Sequence, residues 1–400
     1  MFATYERSLR RWIVNETIAR RPLFAASCAG LFLFGIVLAL LGTLFGLSEM
    51  RVRLGVNMAQ QGDLFLLLYF GVFIATVLAG PLIDRLGNKP VLAVSALLVT
   101  AALGGFAASQ SFRLAAASAL LLGLGGGGLN TAANVLVSDL YSEDRGTMLN
   151  VLGVFYGIGA LAIPLLAAGL EKLFSIPQLL AAAAGLAALI LLAFLALRFP
   201  PASEAKGFST GELAQVVKYP GVLLLAFTLF FQSGNEASIG GWTSSYIGAL
   251  GESGRTATWV LAGYWAALIA GRLLAARLLK FTGKAQLVFA SGVGSVIGCS
   301  VLLLARTLVG MTAGVVILGL SFSAIYPTTL AIAGDRYKRF AGSVFALLFA
   351  IGILGGMSFP WAIGQIGNSL GIRPAMMVPL GSTAMICILA AMVRARERKE

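Results

Sequence analysis

Long apolar runs separated by short polar connections follow one another from about residue 24 to the C-terminus. A helix that crosses the hydrocarbon core of a bilayer needs about 20 predominantly apolar residues. Hydropathy, together with the Gly and Pro residues between the runs, predicts twelve such spans. They lie near 24–47, 62–83, 89–109, 114–138, 147–170, 178–198, 220–247, 256–279, 285–305, 309–333, 341–366 and 373–393. The pattern therefore predicts an all-α membrane protein.

The composition agrees with this prediction and excludes a soluble enzyme. Of the 400 residues, 58% are hydrophobic and 11% are charged, whereas soluble domains carry about a quarter charged residues. The net charge of +13 does not indicate a nucleic-acid partner, because the basic residues are scattered through short loops. With both termini placed in the cytoplasm, 22 Lys and Arg lie on the inner side and 7 on the outer side. This bias follows the positive-inside rule and predicts a multi-pass protein of the cell (inner) membrane.

The polar connections divide the chain. Residues 1–23 are basic and contain Trp12 among arginines, which predicts an amphipathic helix on the cytoplasmic face. The longest connection, 199–219, is a predicted cytoplasmic linker between a bundle of six helices at 24–198 and a second at 220–393. Residues 394–400 form a predicted cytoplasmic tail.

The two halves are related by an internal repeat. GLGGGGLNTAANVLVSDLYSEDRGTMLNVLGVFYGIGALAIP aligns without a gap with GLSFSAIYPTTLAIAGDRYKRFAGSVFALLFAIGILGGMSFP at an offset of 196 residues. The alignment pairs Asp139 with Asp335 and Pro164 with Pro360, which a bias toward Gly and Leu does not explain. Repeats of this kind are typical of secondary transporters, whose solute site lies near the midplane.

The loop after the second span resembles the loop signature of the major facilitator superfamily. It reads GPLIDRLGNKPVL and matches the pattern G-x-L-x-D-R-x-G-x-K from Gly80 to Lys89. The loop after the eighth span keeps Gly271 and basic residues but has no acid. The resemblance implies twelve helices in two pseudo-symmetric bundles, with Asp84 and Arg85 as gating residues. The alternative is that this Asp-Arg pair simply makes a good cytoplasmic turn.

Within that superfamily, several segments resemble the fucose permease group, the fucose-galactose-glucose symporters. They are GLGGGGLNTAANVLVSDL, LNVLGVFYGIGALAIPLL, IYPTTLAIAGDRY and a Glu before Gly-Trp and Tyr in span seven. Relatives in that group often carry a His where Gly153 stands. The marks of the drug-antiporter branch are missing: the position near Leu120 is apolar, and span five lacks the G-x-x-x-G-P-x-x-G-G run.

One acidic residue lies well within a span. Glu236 occurs in FFQSGNEASIGGWTSSY, and an ionised side chain at the bilayer centre costs about 2.5–3.5 kcal/mol on insertion scales. We therefore expect Glu236 to face a cavity or a partner and to bind solute and coupling ion. The alternative is an interfacial carboxylate near the outer end of the span.

The surroundings of Glu236 suit a polar solute. Three nearby glycines are expected to let the helix open and free backbone carbonyls. Trp242 follows six residues later and offers an aromatic surface for a sugar ring, although it could also belong to the aromatic belt. The further polar candidates on this helix are Gln232 and Asn235.

Other spans supply further candidates. Asn130 and Asn134 lie one turn apart on one face of span four and either bind the solute or join helices. Tyr326 occupies the repeat position of Asn130 and is a second-half candidate with Thr328 and Thr329. The weaker candidates are Tyr156, Gln232, Tyr264 and Trp265.

These features predict a monomeric secondary transporter for a small polar solute. A neutral hexose-like sugar, carried with H⁺ or Na⁺, fits the candidates best, and the alternative is a proton-coupled exporter of a cationic or amphipathic compound. The chain has no His, and Cys28, Cys299 and Cys387 show no metal-ligand spacing, so no metal, cofactor or enzymatic activity is expected. The GLGGGG segment lacks a preceding strand and a following GK[ST], which excludes a nucleotide loop.

Overall fold

The computed structural model describes residues 20–202 and 215–397. Its helices are α1 (Arg20–Gly46), α2 (Ser48–Leu54), α3 (Met58–Leu86), α4 (Asn88–Ala108), α5 (Phe112–Leu140), α6 (Arg145–Leu170), α7 (Ile176–Ala196), α8 (Pro220–Ala249), α9 (Gly254–Leu278), α10 (Lys284–Leu304), α11 (Leu308–Arg336), α12 (Ala341–Leu370), α13 (Ile372–Ala375) and α14 (Met377–Glu397). Twelve stretches of these helices are long and apolar enough to cross a membrane, the last formed by α13 and α14 together. The predicted spans and the all-α fold class are confirmed.

Two predicted segments fall mostly outside this part of the chain. The amphipathic segment at 1–23 is described only at its last four residues, which begin α1. The linker at 199–219 is described only at its two ends.

The helices repeat with the offset found in the sequence. Five consecutive helices, α3 to α7, each begin 196 residues before a partner in the second half, from Met58 and Gly254 to Ile176 and Ile372. Local signals repeat as well: the hydroxyl of Ser111 caps α5 by accepting from the Leu114 N–H, and Thr307, 196 residues on, caps α11 by accepting from Gly310. A hydroxyl at this position satisfies one of the free N–H groups of the first turn.

Glycines allow equivalent helices to touch in both halves. A Cβ added at Gly159 of α6 would lie 3.1 Å from the Phe32 Cα of α1. A Cβ added at Gly355 of α12 would lie 3.0 Å from the Phe230 Cα of α8. Small residues at such crossings let backbones approach closely, which is how membrane helices gain van der Waals contact.

The residue contacts divide the chain into two compact units. Unit 1 draws on the described residues of Met1–Leu38, Phe70–Ala162 and Lys172–Gly207, and unit 2 on those of Ala39–Tyr69, Ile163–Glu171 and Phe208–Glu400. Helices α1, α3 and α6 thus contribute one part to each unit. The six-helix boundaries at 24–198 and 220–393 remain a prediction.

Candidate functional site

Glu236 lies in the middle of α8, and the helix is continuous around it from Pro220 to Ala249. The expectation that glycines open this helix is wrong. The glycines instead admit neighbours: a Cβ at Gly241 would lie 2.7 Å from the Phe65 ring, and one at Gly240 would lie 2.9 Å from the Trp265 ring. No backbone carbonyls are freed by unwinding here, so the polar groups of the site are side chains.

Two phenols interact with the carboxyl group of Glu236. Glu236 is half-buried and interacts electrostatically with Tyr69 of α3 and Tyr326 of α11. The Tyr326 ring stacks on Phe349 of α12 with centroids 6.3 Å apart, and the Tyr69 ring lies 2.8 Å from a Cβ added at Gly356 of the same helix. Glu236, Tyr69 and Tyr326 all belong to unit 2, and α12 supports both rings.

Tyr69 was not predicted as a site residue. Its signal was present in the repeat, because Tyr69 lies 196 residues before Trp265, itself one of the weaker candidates. Both are aromatic residues beside α8. The repeat offset from Trp265 is therefore the signal in the sequence that points to Tyr69.

The two amides on α8 are fully buried. Gln232 donates from Nε2 to the Phe322 carbonyl of α11 at 3.2 Å, while its Oε1 has no hydrogen-bond partner among the described residues. Asn235 is 0% exposed, and neither of its amide atoms has a partner there. Buried polar atoms without partners are costly, so these three atoms are available to a bound polar molecule. Gln232 and Asn235 remain predicted binding residues.

Trp242 is also buried, at 1% exposure. Its Nε1 donates to the Pro360 carbonyl of α12 at 3.0 Å, and its ring lies 5.8 Å from that of Phe65, centroid to centroid. In this structure Trp242 therefore packs between α3 and α12, and its role as a sugar contact remains a prediction. The buried rings of Tyr264 and Trp265 contact each other at 5.1 Å.

The candidates of the first half lie in unit 1. Asn134 Nδ2 donates to the Asn130 carbonyl at 2.7 Å and to Asn130 Oδ1 at 3.0 Å, and both residues are half-buried. Tyr156 is buried and its ring packs against Phe34 at 5.6 Å. The two asparagines bond within one helix, which leaves solute binding open for both.

Charged groups lie at the ends of α3 and α5 that the sequence places in the cytoplasm. Asp84 interacts electrostatically with Asp139, which also interacts with Arg145. In the signature loop, Lys89 Nζ donates to the Leu195 and Leu197 carbonyls at 2.6 and 2.9 Å. A cation at this position satisfies the free carbonyls of a helix C-terminus. Gating by Asp84 and Arg85 remains a prediction.

The corresponding end of the second half contains an ion pair. Lys284 of α10 contacts Asp335 of α11, the repeat partner of Asp139. No group of three or more His, Cys, Asp or Glu side chains able to hold a metal occurs within 20–202 and 215–397. The candidate site around Glu236 therefore consists of its carboxyl group, the two phenols and the buried amides of α8.

Comparison with known proteins gives the family. The sequence profile of the Major Facilitator Superfamily matches residues 27–305 and 225–400 of this chain. An uncharacterized transporter of Sinorhizobium fredii, y4wD, is 26% identical over 376 residues, covering 92% of this chain and 97% of that protein. The multi-drug resistance efflux pump PmrA of Streptococcus pneumoniae is 30% identical over 178 residues, 44% of this chain and 45% of the pump.

Two examples of solved structures show the same fold. The nucleoside transporter NupG superposes with a TM-score of 0.76 at 14% identity, covering 94% of this chain and 99% of that one. The D-xylose-proton symporter superposes with a TM-score of 0.76 at 13% identity, covering 93% and 96%. At these identities the likeness establishes the fold alone. The fold and the family are those of transporters, and this multi-pass membrane chain belongs to the Major Facilitator Superfamily.

Proposed function

We propose that this transporter moves a small, neutral, polar solute, a hexose-like sugar, together with protons. The observation that carries the proposal is Glu236, which is half-buried in mid-helix and interacts electrostatically with the phenols of Tyr69 and Tyr326. Carboxyl, phenol and amide groups together can both donate to and accept from sugar hydroxyls. The resemblance of four segments to the fucose permease group supports the same class of solute.

Glu236 is the proposed coupling group. Its carboxyl group interacts electrostatically with the phenols of Tyr69 and Tyr326, and a bound proton would neutralise its charge. A carboxyl group in such surroundings can take up a proton on one side of the membrane and release it on the other. Solute binding beside Glu236 would change the stability of the charged form and thereby link the two fluxes.

The mode of transport is alternating access, in a monomer with both termini in the cytoplasm. The repeat of 196 residues supports it, because repeated halves allow a central site to open to either side in turn. The distribution of Lys and Arg supports the orientation and an inner-membrane location. Asp84 and Arg85 are the proposed gating residues on the cytoplasmic side.

One finding favours a second candidate, proton-coupled export of a cationic or amphipathic compound. The relative with the higher identity is named as a multi-drug resistance efflux pump, although the match covers 44% of this chain. A mid-membrane carboxylate would suit a cationic solute. The missing antiporter marks in spans four and five weigh against this candidate.

A thermal-shift screen of purified protein against sugars, nucleosides and organic cations identifies the solute class. Transport is then measured in proteoliposomes with the solute that binds. We expect Glu236→Gln to abolish uphill accumulation and solute-driven proton uptake while sparing solute counterflow, because the amide keeps the shape but cannot ionise. The matched control is Glu252→Gln, in the connection between α8 and α9, which should transport normally.

Two results would contradict the proposal. Accumulation by the Glu236→Gln variant would show that the proton is carried elsewhere. Binding of organic cations alone would overturn the sugar assignment and favour export.

A further inference from the structure

On the predicted outer side, the start of α3 is fastened to α12 through one carboxylate. Asp63 Oδ1 accepts a hydrogen bond from Trp361 Nε1 at 3.1 Å and another from Gln365 Nε2 at 3.1 Å. The same amide of Gln365 lies 3.3 Å from the Ala59 carbonyl of α3. We call Asp63, Trp361 and Gln365 the acidic latch.

The helices touch backbone to backbone beside the acidic latch. A Cβ added at Gly62 would lie 2.9 Å from the Trp361 carbonyl oxygen and 3.1 Å from the Gly364 Cα. No side chain larger than hydrogen fits between α3 and α12 at this point. When the latch is formed, these two helix ends therefore close against each other without a gap.

A second fastening occupies the repeat-related position. Arg255, at the start of α9, donates from Nε to the Ala168 carbonyl of α6 at 3.0 Å and lies 3.7 Å from Glu171 Oε1. The offset of 196 relates Arg255 to Ala59 and Ala168 to Gly364, so α9 meets α6 where α3 meets α12. The chemistry differs, since one contact centres on an anion and the other on a cation.

The acidic latch is joined to the site by a short length of helix. Tyr69, which flanks Glu236, follows Asp63 by six residues on α3. Between them, Phe65 packs against Trp242 of α8. A movement of the start of α3 away from α12 would therefore also move the phenol beside Glu236.

We propose that Asp63 is a positioning residue that sets how readily the transporter opens outward. Its two hydrogen bonds hold α3 against α12 and keep Tyr69 beside Glu236, and they must break before a solute can enter from outside. This inference rests on the proposed alternating access. Asp63 is half-buried and Trp361 is 39% exposed, so water can replace the lost donors and the latch can open and close reversibly.

The test measures outward opening directly. Thr243 lies two turns beyond Glu236 on the same face of α8, is 0% exposed, and its hydroxyl has no hydrogen-bond partner among the described residues. Thr243→Cys, in a background with the three native cysteines replaced by serine, therefore provides a reporter that is sealed while the outer side is closed. Its rate of labelling by a membrane-impermeant maleimide, added outside the cell, reports opening.

We expect Asp63→Ala and Trp361→Phe each to speed labelling, Asp63→Ala by about tenfold, which corresponds to about 1.4 kcal/mol. The double variant should label no faster than Asp63→Ala, because the indole N–H acts through Asp63. Trp361→Phe keeps an aromatic ring and removes only the donor, so it tests the latch even if Asp63→Ala fails to fold. Glu252→Ala, which removes an outer carboxylate outside both fastenings, should label at the parent rate.

An unchanged labelling rate in Trp361→Phe, or effects of the two substitutions that add in the double variant, would overturn the inference. The labelling needs neither solute nor ion gradient. If Glu236→Gln still accumulates solute while the Asp63 and Trp361 variants label faster as expected, only the proposal of proton coupling by Glu236 is refuted. If Glu236→Gln loses accumulation as expected while the Asp63 and Trp361 variants label at the parent rate, only the proposed role of Asp63 is refuted.

Discussion

The crossing of α8 and α12 at Gly355 gives a sharp prediction about stability. The Cβ of an alanine at this position would lie 2.7 Å from the Phe230 carbonyl carbon and 3.0 Å from its Cα. Real Cβ atoms keep a greater distance from backbone, and a backbone neighbour has no alternative rotamer. Gly355→Ala must therefore push the two helices apart.

The magnitude follows from two opposing effects. Forcing an extra carbon into a packed contact costs about 1–3 kcal/mol. Replacing glycine by alanine inside a helix returns about 0.5–1 kcal/mol of backbone entropy, and less in a membrane, where the unfolded state keeps its helices. The net expectation is a loss of about 1–2 kcal/mol in the free energy of unfolding.

Thermal unfolding of the purified protein in detergent measures this loss. The control is Gly342→Ala, the same substitution in the same helix, where nothing lies within 4 Å of the added Cβ. We expect Gly355→Ala to lower the melting temperature by a few degrees and Gly342→Ala to leave it unchanged or raise it slightly. Equal melting temperatures for the two variants would refute the reasoning from close approach.

Two further substitutions test contacts described above. Trp242→Phe keeps a ring against Phe65 but removes the donor to the Pro360 carbonyl, so we expect unfolding to become about 1–2 kcal/mol easier; a loss of solute affinity without a loss of stability would instead favour the predicted sugar contact. Lys89→Gln removes the charge beside the C-terminus of α7 and should cost about 1 kcal/mol, measured in the same unfolding assay; an unchanged stability would contradict the capping role.

Most of the fold could be predicted because it rests on local and repeated signals. Apolar runs of membrane length specify the helices, and helix starts such as Met58 and Gly254 recur at the offset already visible in the aligned segments. The contacts of Ala39–Tyr69 with the second half could not be predicted in the same way. Hydropathy reports that a segment is apolar but not which neighbours it meets.

The site was predicted in part for a similar reason. Glu236 stands out because a charge in an apolar span is costly, whereas Tyr69 is an ordinary amphipathic residue until its neighbours are known. The prediction that α8 opens at its glycines was wrong for a related reason. A glycine allows a helix either to unwind or to be approached closely by a neighbour. Only the rings of Phe65 and Trp265, which fill the space beside Gly241 and Gly240, decide between the two.

The repeat also indicates which residues to test for function. Repeat-equivalent residues occupy equivalent positions in the two halves, but their side chains often differ in chemistry. Asp139 and Asp335 are equivalent and both meet a cation, but the cation is Arg145 in one half and Lys284 in the other. In such pairs the same ionic contact is made by different residues, which is sufficient for a contact with a structural role. Asn130 and Tyr326 differ in kind, an amide in the first half and a phenol in the second, and the phenol interacts electrostatically with Glu236. Recognition of a solute with no twofold symmetry does not need the same group at repeat-equivalent positions. Equivalent positions whose chemistry diverges are therefore the ones to test for solute recognition.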